Sequence, residues 1–242
     1  MSETDTIRNT LAAQTPVNFG YAGALAGMKR ALPLAIGGCV YGLIFGILAR
    51  QSHLSMLEVL LMSGLVYAGS AQFAVLSLWN MPFAFEAILL TTLLVNARNL
   101  LLGITLHPWL SRLPPFKVAL TVFFLADENW ALTMNEFARG GRDAAFLLGS
   151  GVVLFVEWLI STSLGWWIGE GITDPAHWGL DFAFTAVFLT LLVGVWKGKA
   201  DSLPWIVAAL VAVVSAHLLP GTWYILLGAF AGSAVGVIRH AD

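Results

Sequence analysis

Charge is what this sequence has least of. Asp, Glu, Lys and Arg make up 11% of its 242 residues, against about 25% in soluble domains. Twelve basic and fourteen acidic side chains cannot cover the surface of a soluble globule this large. That excludes an ordinary cytosolic enzyme and a disordered chain. With a net charge of −2 there is no basic excess, which excludes a nucleic-acid binder. A single cysteine, Cys39, excludes an internal disulfide framework and a cysteine-rich metal cluster. Histidines are few: His53, His107, His177 and His240 fall in expected loops or the tail, and His217 ends an apolar run. No H-E-x-x-H, G-x-S-x-G or G-x-x-x-x-G-K-[ST] pattern occurs, so neither catalysis nor a cofactor or metal is expected. Residues 1–20 lack the basic-then-apolar pattern of an export leader.

What remains is apolar. Hydrophobic types supply 58% of the chain, and its mean hydropathy is +0.82. A membrane-crossing helix needs about 20 apolar residues. Candidate spans run over 31–49, 58–79, 84–106, 116–137, 144–170, 179–196, 203–218 and 221–238. His107-Pro108 is expected to stop the third, and Leu219-Pro220-Gly221 to join the last two, which are short enough to form one bent hairpin. The expected fold is therefore all-α, a polytopic integral membrane helical bundle with seven or eight transmembrane helices. Residues 1–30 form a polar tail, in which 19–30 are either disordered or a short interfacial helix. Residues 31–238 are expected to form the transmembrane domain, and 239–242 a short C-terminal tail. With eight spans, Arg8, Lys29, Arg30, Arg139, Arg142, Lys197, Lys199 and Arg239 fall on one side, and Arg50, Arg112 and Lys117 on the other. Eight against three puts both termini in the cytoplasm. Gly38, Gly42, Gly46 and Gly228, Gly232, Gly236 each share a helix face, where small residues let backbones approach closely; packing is the reading favoured for both.

Polar side chains at membrane depth are costly and mark pathways or sites. Counting along the spans at 1.5 Å per residue, four of them place such groups near mid-depth. They are Gly69, Ser70 and Gln72 in the second, Asn96, Arg98 and Asn99 in the third, Asp127 and Glu128 in the fourth, and Glu157 in the fifth. Arg98 lies about eight residues, roughly 12 Å, from the nearer end of its span, too far for its guanidinium to escape easily to the headgroups. It is expected to find an anion: Asp127, Glu128, Glu157 or a substrate carboxylate. Such a pair either holds spans three and four together or forms part of a transport site. Asp127 and Glu128 point about 100° apart on a helix, so one can pair with Arg98 while the other faces a cavity and exchanges protons. The Gly69–Gln72 stretch is a weakened helix segment, and a break there exposes backbone N–H groups able to hold a carboxylate. Asp181 is placed at the outer edge of span six, as a cap or an entrance residue.

The order of these motifs resembles the AzlC family of branched-chain amino-acid exporters. The resemblance is carried by Gly42-Leu43-Ile44-Phe45-Gly46, Tyr67-Ala68-Gly69-Ser70-Ala71-Gln72-Phe73, Leu93-Leu94-Val95-Asn96-Ala97-Arg98-Asn99-Leu100, Asp127-Glu128 and Gly179-Leu180-Asp181-Phe182, over roughly 30–238. It implies a secondary transporter moving a small hydrophobic amino acid, usually valine, leucine or isoleucine, outward across the bacterial inner membrane. It also implies a small hydrophobic partner subunit of the AzlD type. Two other classes compete: a structural or accessory membrane subunit, and, less favoured, an intramembrane enzyme.

Overall fold

The computed structural model describes residues 17–79, 85–173, 177, 179, 182–194, 196, 198, 202–219 and 223–240. Every regular element among them is a helix. In chain order these are α1 (Tyr21–Gln51), α2 (Met56–Leu61), which runs into a π-helical turn (Met62–Val66), α3 (Gly69–Ser77), α4 (Phe85–Asn96) and α5 (Arg98–Leu110). They are followed by α6 (Pro115–Phe123), α7 (Asp127–Ala138), α8 (Ala145–Glu170), α9 (Ala183–Gly194), α10 (Ser202–Leu218) and α11 (Trp223–His240). Three helical stretches are long and apolar enough to cross a membrane: Tyr21–Gln51, Phe85–Leu110 and Ala145–Glu170. The other apolar helices are shorter.

Two boundaries differ from expectation. The first helix reaches back to Tyr21 and carries Pro33 inside it, so residues 21–30 are continuous with the first apolar run. The proline ring forfeits one backbone bond, and the packing of α1 on α8 makes that loss tolerable. Nor does Pro108 end α5, which continues to Leu110. The ring lies in the last turn, where one missing N–H removes a single bond, and Ser111 N–H still closes on the His107 carbonyl at 3.0 Å. The Leu219-Pro220-Gly221 turn falls largely outside the described residues.

The described helices fall into two compact units. One takes in residues up to Gln72 together with Asn96–Thr173; the other takes in Phe73–Val95 and the residues from Asp174 onward. In the first, α1 lies along α8 in close contact. A methyl group added at Gly27, Gly46, Gly149 or Gly165 would run into a carbonyl of the facing helix, those of Phe146, Thr162, Ala24 and Leu43 respectively. Gly42 meets the Ser161 hydroxyl in the same way. The four-residue glycine spacing of α1 therefore serves packing within this unit. In the second unit Gly228 and Gly232 of α11 sit against Ala212 and Ala208 of α10.

The α1–α8 pair is fastened at both ends. At one end the Asp143 carboxylate accepts from Gly20 N–H (3.1 Å) and Ala145 N–H (3.0 Å), so it satisfies first-turn donors of two helices at once. Asn18 adds two backbone bonds, to Arg142 O and from Ala144 N, both 2.9 Å. At the other end the Gln51 amide donates to the carbonyls of Gly169 (3.0 Å) and Ile172 (3.1 Å). The Arg50 guanidinium lies 4.2 Å above the Trp166 ring and 3.2 Å from Glu170. Around this pair, Leu106, Leu110, Leu125, Phe137, Ala144 and Leu147 form a buried apolar cluster.

Candidate functional site

The remaining helices of the first unit are interrupted, and the interruptions fall where the polar side chains are. The π-helical turn widens the backbone before Tyr67, which adopts a left-handed conformation (φ 42°, ψ 52°). A bulky residue rarely does so, and π turns recur at functional sites. Helical bonding restarts with Gln72 N–H to Ala68 O at 2.8 Å, which leaves the N–H groups of Gly69, Ser70 and Ala71 without intrahelical partners. A second interruption, Phe124-Leu125-Ala126, separates α6 from α7. Asn129 repairs it: its side-chain oxygen accepts from Ala126 N–H at 2.8 Å, and its amide donates to Phe124 O at 2.6 Å. Helical bonding restarts with Trp130 N–H to Ala126 O at 3.0 Å, which puts Asp127 and Glu128 in the first turn of α7. The third interruption is slight, a single residue at Ala97 that stays near helical geometry.

Arg98, the first residue of α5, joins the other two restarts. Its Nη1 is 2.7 Å from Asp127 Oδ2, and its Nη2 donates to the Ser70 hydroxyl at 2.8 Å. Both members of the ion pair are half-exposed, 46% for the Arg98 side chain and 43% for Asp127, so the protein leaves the guanidinium an open face. Three helices thus begin at Gly69, Arg98 and Asp127, and one cation spans them. Helix starts carry partial positive charge, and Arg98 adds a full one. Asp127 pairs with that charge and Glu128 lies within its reach, so the site offers a cation and free backbone N–H groups to a carboxylate, and an acid to an ammonium group.

Of the two adjacent acids, Asp127 takes the guanidinium, and Glu128 forms no ion pair among the described residues. Glu128 and Glu157 lie within electrostatic reach of each other and of the Tyr67 phenol. Glu157 is not at Arg98. It projects from α8 toward α1, where a methyl group at Gly38 would lie 3.0 Å from its Oε2. Its Oε1 is buried without a hydrogen-bond partner. Gln72 is fully buried: its amide donates to Ser63 Oγ at 3.2 Å, and its oxygen accepts from Trp158 Nε1 at 3.1 Å. Both ends are occupied by protein, so Gln72 holds the start of α3 in place. Gly69 packs under the Trp158 ring, where a methyl group would approach to 3.0 Å. Asn96 closes α4 with a buried, unpartnered Oδ1, and Asn99 is half-buried in the first turn of α5. Asp181 lies outside the described residues. Sequence reasoning missed Tyr67, Asn129 and Trp158 as parts of this framework. An aromatic residue just before a Gly-Ser pair, and an asparagine two residues after an acid in an apolar run, were the available signals.

The family model for AzlC protein matches residues 33–172. The chain belongs to the AzlC family. The matched stretch contains Ser70, Arg98, Asp127, Glu128 and Glu157, and ends before Asp181. Among AzlC relatives, the inner membrane protein YgaZ of Escherichia coli K12 is 27% identical over 227 residues, covering 91% of this chain and 92% of the relative. The branched-chain amino acid transport protein AzlC of Bacillus subtilis is 24% identical over 196 residues, covering 81% and 76%. An uncharacterized membrane protein of Archaeoglobus fulgidus is 28% identical over 175 residues, covering 72% and 76%. No solved structure matches the chain significantly. The chain is accordingly a helical membrane protein of a family with a named amino-acid transporter.

Proposed function

We propose that this chain is a secondary transporter that exports branched-chain or other hydrophobic amino acids across the bacterial cytoplasmic membrane. The observation that carries the reading is the Arg98 guanidinium, held between Asp127 and Ser70 at three helix starts. An amino acid has a carboxylate for Arg98 and an ammonium group for an acid. Irregular backbone at membrane depth is tolerated where it is buried in protein or lines a cavity, and half-helix starts aimed at a substrate carboxylate are a recurrent transporter device. The AzlC name of the Bacillus subtilis relative supports the branched-chain substrate class. The family resemblance supports the outward direction and a small AzlD-type partner. In this reading the chain crosses the membrane eight times, with spans two and four broken near mid-depth and both termini in the cytoplasm.

Transport is coupled to an ion, and Glu128 is the coupling group: it stands beside the Arg98–Asp127 pair, within reach of the Arg98 charge but without an ion pair of its own among the described residues. Proteoliposomes loaded with leucine, with and without the partner subunit, test the whole reading. Wild type gives pH-driven net efflux. Glu128→Gln keeps leucine exchange at equal concentrations and loses net efflux, whereas Asp127→Asn impairs both. Full pH-driven efflux in both variants returns the acids to a packing role. The absence of any amino-acid flux in wild type with its partner would favour an accessory subunit.

A further inference from the structure

Tyr67, Phe123, Phe124 and Phe155 form an aromatic cluster next in the chain to the two helix breaks. Phe155 of α8 is their hub. Its ring centroid lies 5.0 Å from that of Tyr67, 5.1 Å from Phe124 and 5.9 Å from Phe123, each in edge-to-face geometry. Phe123 and Phe124 meet each other at 5.0 Å. Their positions follow the two interruptions: Tyr67 is three residues before Ser70, and Phe124 three residues before Asp127. Three residues span at most about 10 Å, so each helix break contains an aromatic residue and is followed within three residues by a ligand of Arg98. Phe123 is 45% exposed, and Tyr67, Phe124 and Phe155 are partly buried. The cluster therefore presents ring surface beyond its internal packing.

We propose that Tyr67, Phe123, Phe124 and Phe155 form the wall that receives the substrate's aliphatic side chain. The proposal rests on the amino-acid reading above and adds what selects among amino acids. A zwitterion held at Arg98 has only its side chain left to tell it apart from its neighbours, so selectivity must come from apolar surface within one side-chain length of the guanidinium. The aromatic cluster is the apolar surface next in the chain to both ligands of Arg98, with Tyr67 three residues before Ser70 and Phe124 three residues before Asp127, and rigid rings hold a defined contact shape at little entropic cost. A branched aliphatic group reaches this wall; the methyl group of alanine, bound at the same head-group site, falls short of it.

The test compares leucine and alanine efflux from proteoliposomes for wild type, Phe155→Leu and Phe123→Ala. Removing ring contact raises the KM for leucine about tenfold or more, in line with the discrimination available per lost apolar contact. The KM for alanine stays within about twofold, because that substrate never used the wall. An unchanged leucine-to-alanine ratio in both variants, or an equal loss for both substrates, overturns the proposal and makes the cluster packing alone. If Phe155→Leu fails to assemble, Phe123→Ala decides by itself, since its ring is already half-exposed. Failure of wild type to move either amino acid would instead count against the transport reading.

Discussion

The α1–α8 pair and the helix breaks before Gly69 and Asp127 lie in the same unit, yet the same bilayer constraint is met in opposite ways. In α1 and α8 the backbone runs unbroken for 31 and 26 residues, and glycines bring the two main chains into contact. Pro33 forfeits one bond of the ladder; at the ends Asp143 accepts from the N–H groups of Gly20 and Ala145, and Gln51 donates to the carbonyls of Gly169 and Ile172. In α2–α3 and α6–α7 the ladder is cut, and side chains repair it: Asn129 across one gap, and Gln72 with Trp158 beside the other. Cutting a helix in an apolar medium is costly unless the freed groups are used. In the proposed reading, continuity marks the scaffold and interruption marks the transport site.

Changes at the breaks should affect transport more than stability, and changes in the pair the reverse. The largest effect is expected at Arg98. Arg98→Ala leaves Asp127 without its cation and should reduce leucine efflux below about a hundredth of wild type, by analogy with the loss of a group that orients bound substrate. Arg98→Lys keeps the charge without the planar fork and should recover only part of the flux. Efflux close to wild type in the alanine variant would erase the distinction between the two regions.

Gly46→Ala tests the opposite arm. Its methyl group meets the Thr162 main chain, so the helices must part, at a cost of about 1–3 kcal/mol. Gly37→Ala is the control: nothing lies within 4 Å of the added carbon, and replacing a helical glycine should raise stability by about 0.5–1 kcal/mol. Thermal denaturation in detergent reads both, and efflux per folded molecule should be retained in the control.

Gln72→Leu lies between the arms. It leaves the Trp158 indole N–H and the Ser63 hydroxyl unpaired, for a loss of about 1–3 kcal/mol. Because the start of α3 then loses its anchor, leucine efflux per folded molecule should fall as well. A purely thermal effect would reassign Gln72 to the scaffold. The smallest loss is expected for Asp143→Ala, which removes an acceptor shared by two helix starts. It should lower stability by about 1–2 kcal/mol, and efflux per folded molecule should hold.

Much of this was legible along the chain because hydrocarbon punishes exposed polarity. The apolar runs 31–49, 84–106 and 144–170 correspond to the three helical stretches long enough to cross a membrane, and the rarity of charge made Arg98, Asp127 and Glu128 conspicuous. The Gly38–Gly42–Gly46 spacing is read as packing in sequence and is packing in the fold. Depth counting grouped Glu157 with Arg98, but depth says nothing about direction around a helix, and Glu157 turns toward Gly38 on α1 instead. Gln72 counted as a site residue by the same rule, yet it is sealed between Ser63 and Trp158.

The sequence by itself determined that this is a helical membrane protein of the AzlC type, with a weak point in the helix at Gly69 and scarce charges gathered in a few spans. Those properties follow from the solvation of residue types and from local backbone preference, which act along the chain. Only the tertiary structure decided that Asp127 rather than Glu128 pairs with Arg98, that Ser70 completes the contact, and that aromatic rings stand behind both breaks. These are matters of rotation and distance between segments far apart in sequence, and they are set when α8 packs against α1 and the interrupted helices close around it.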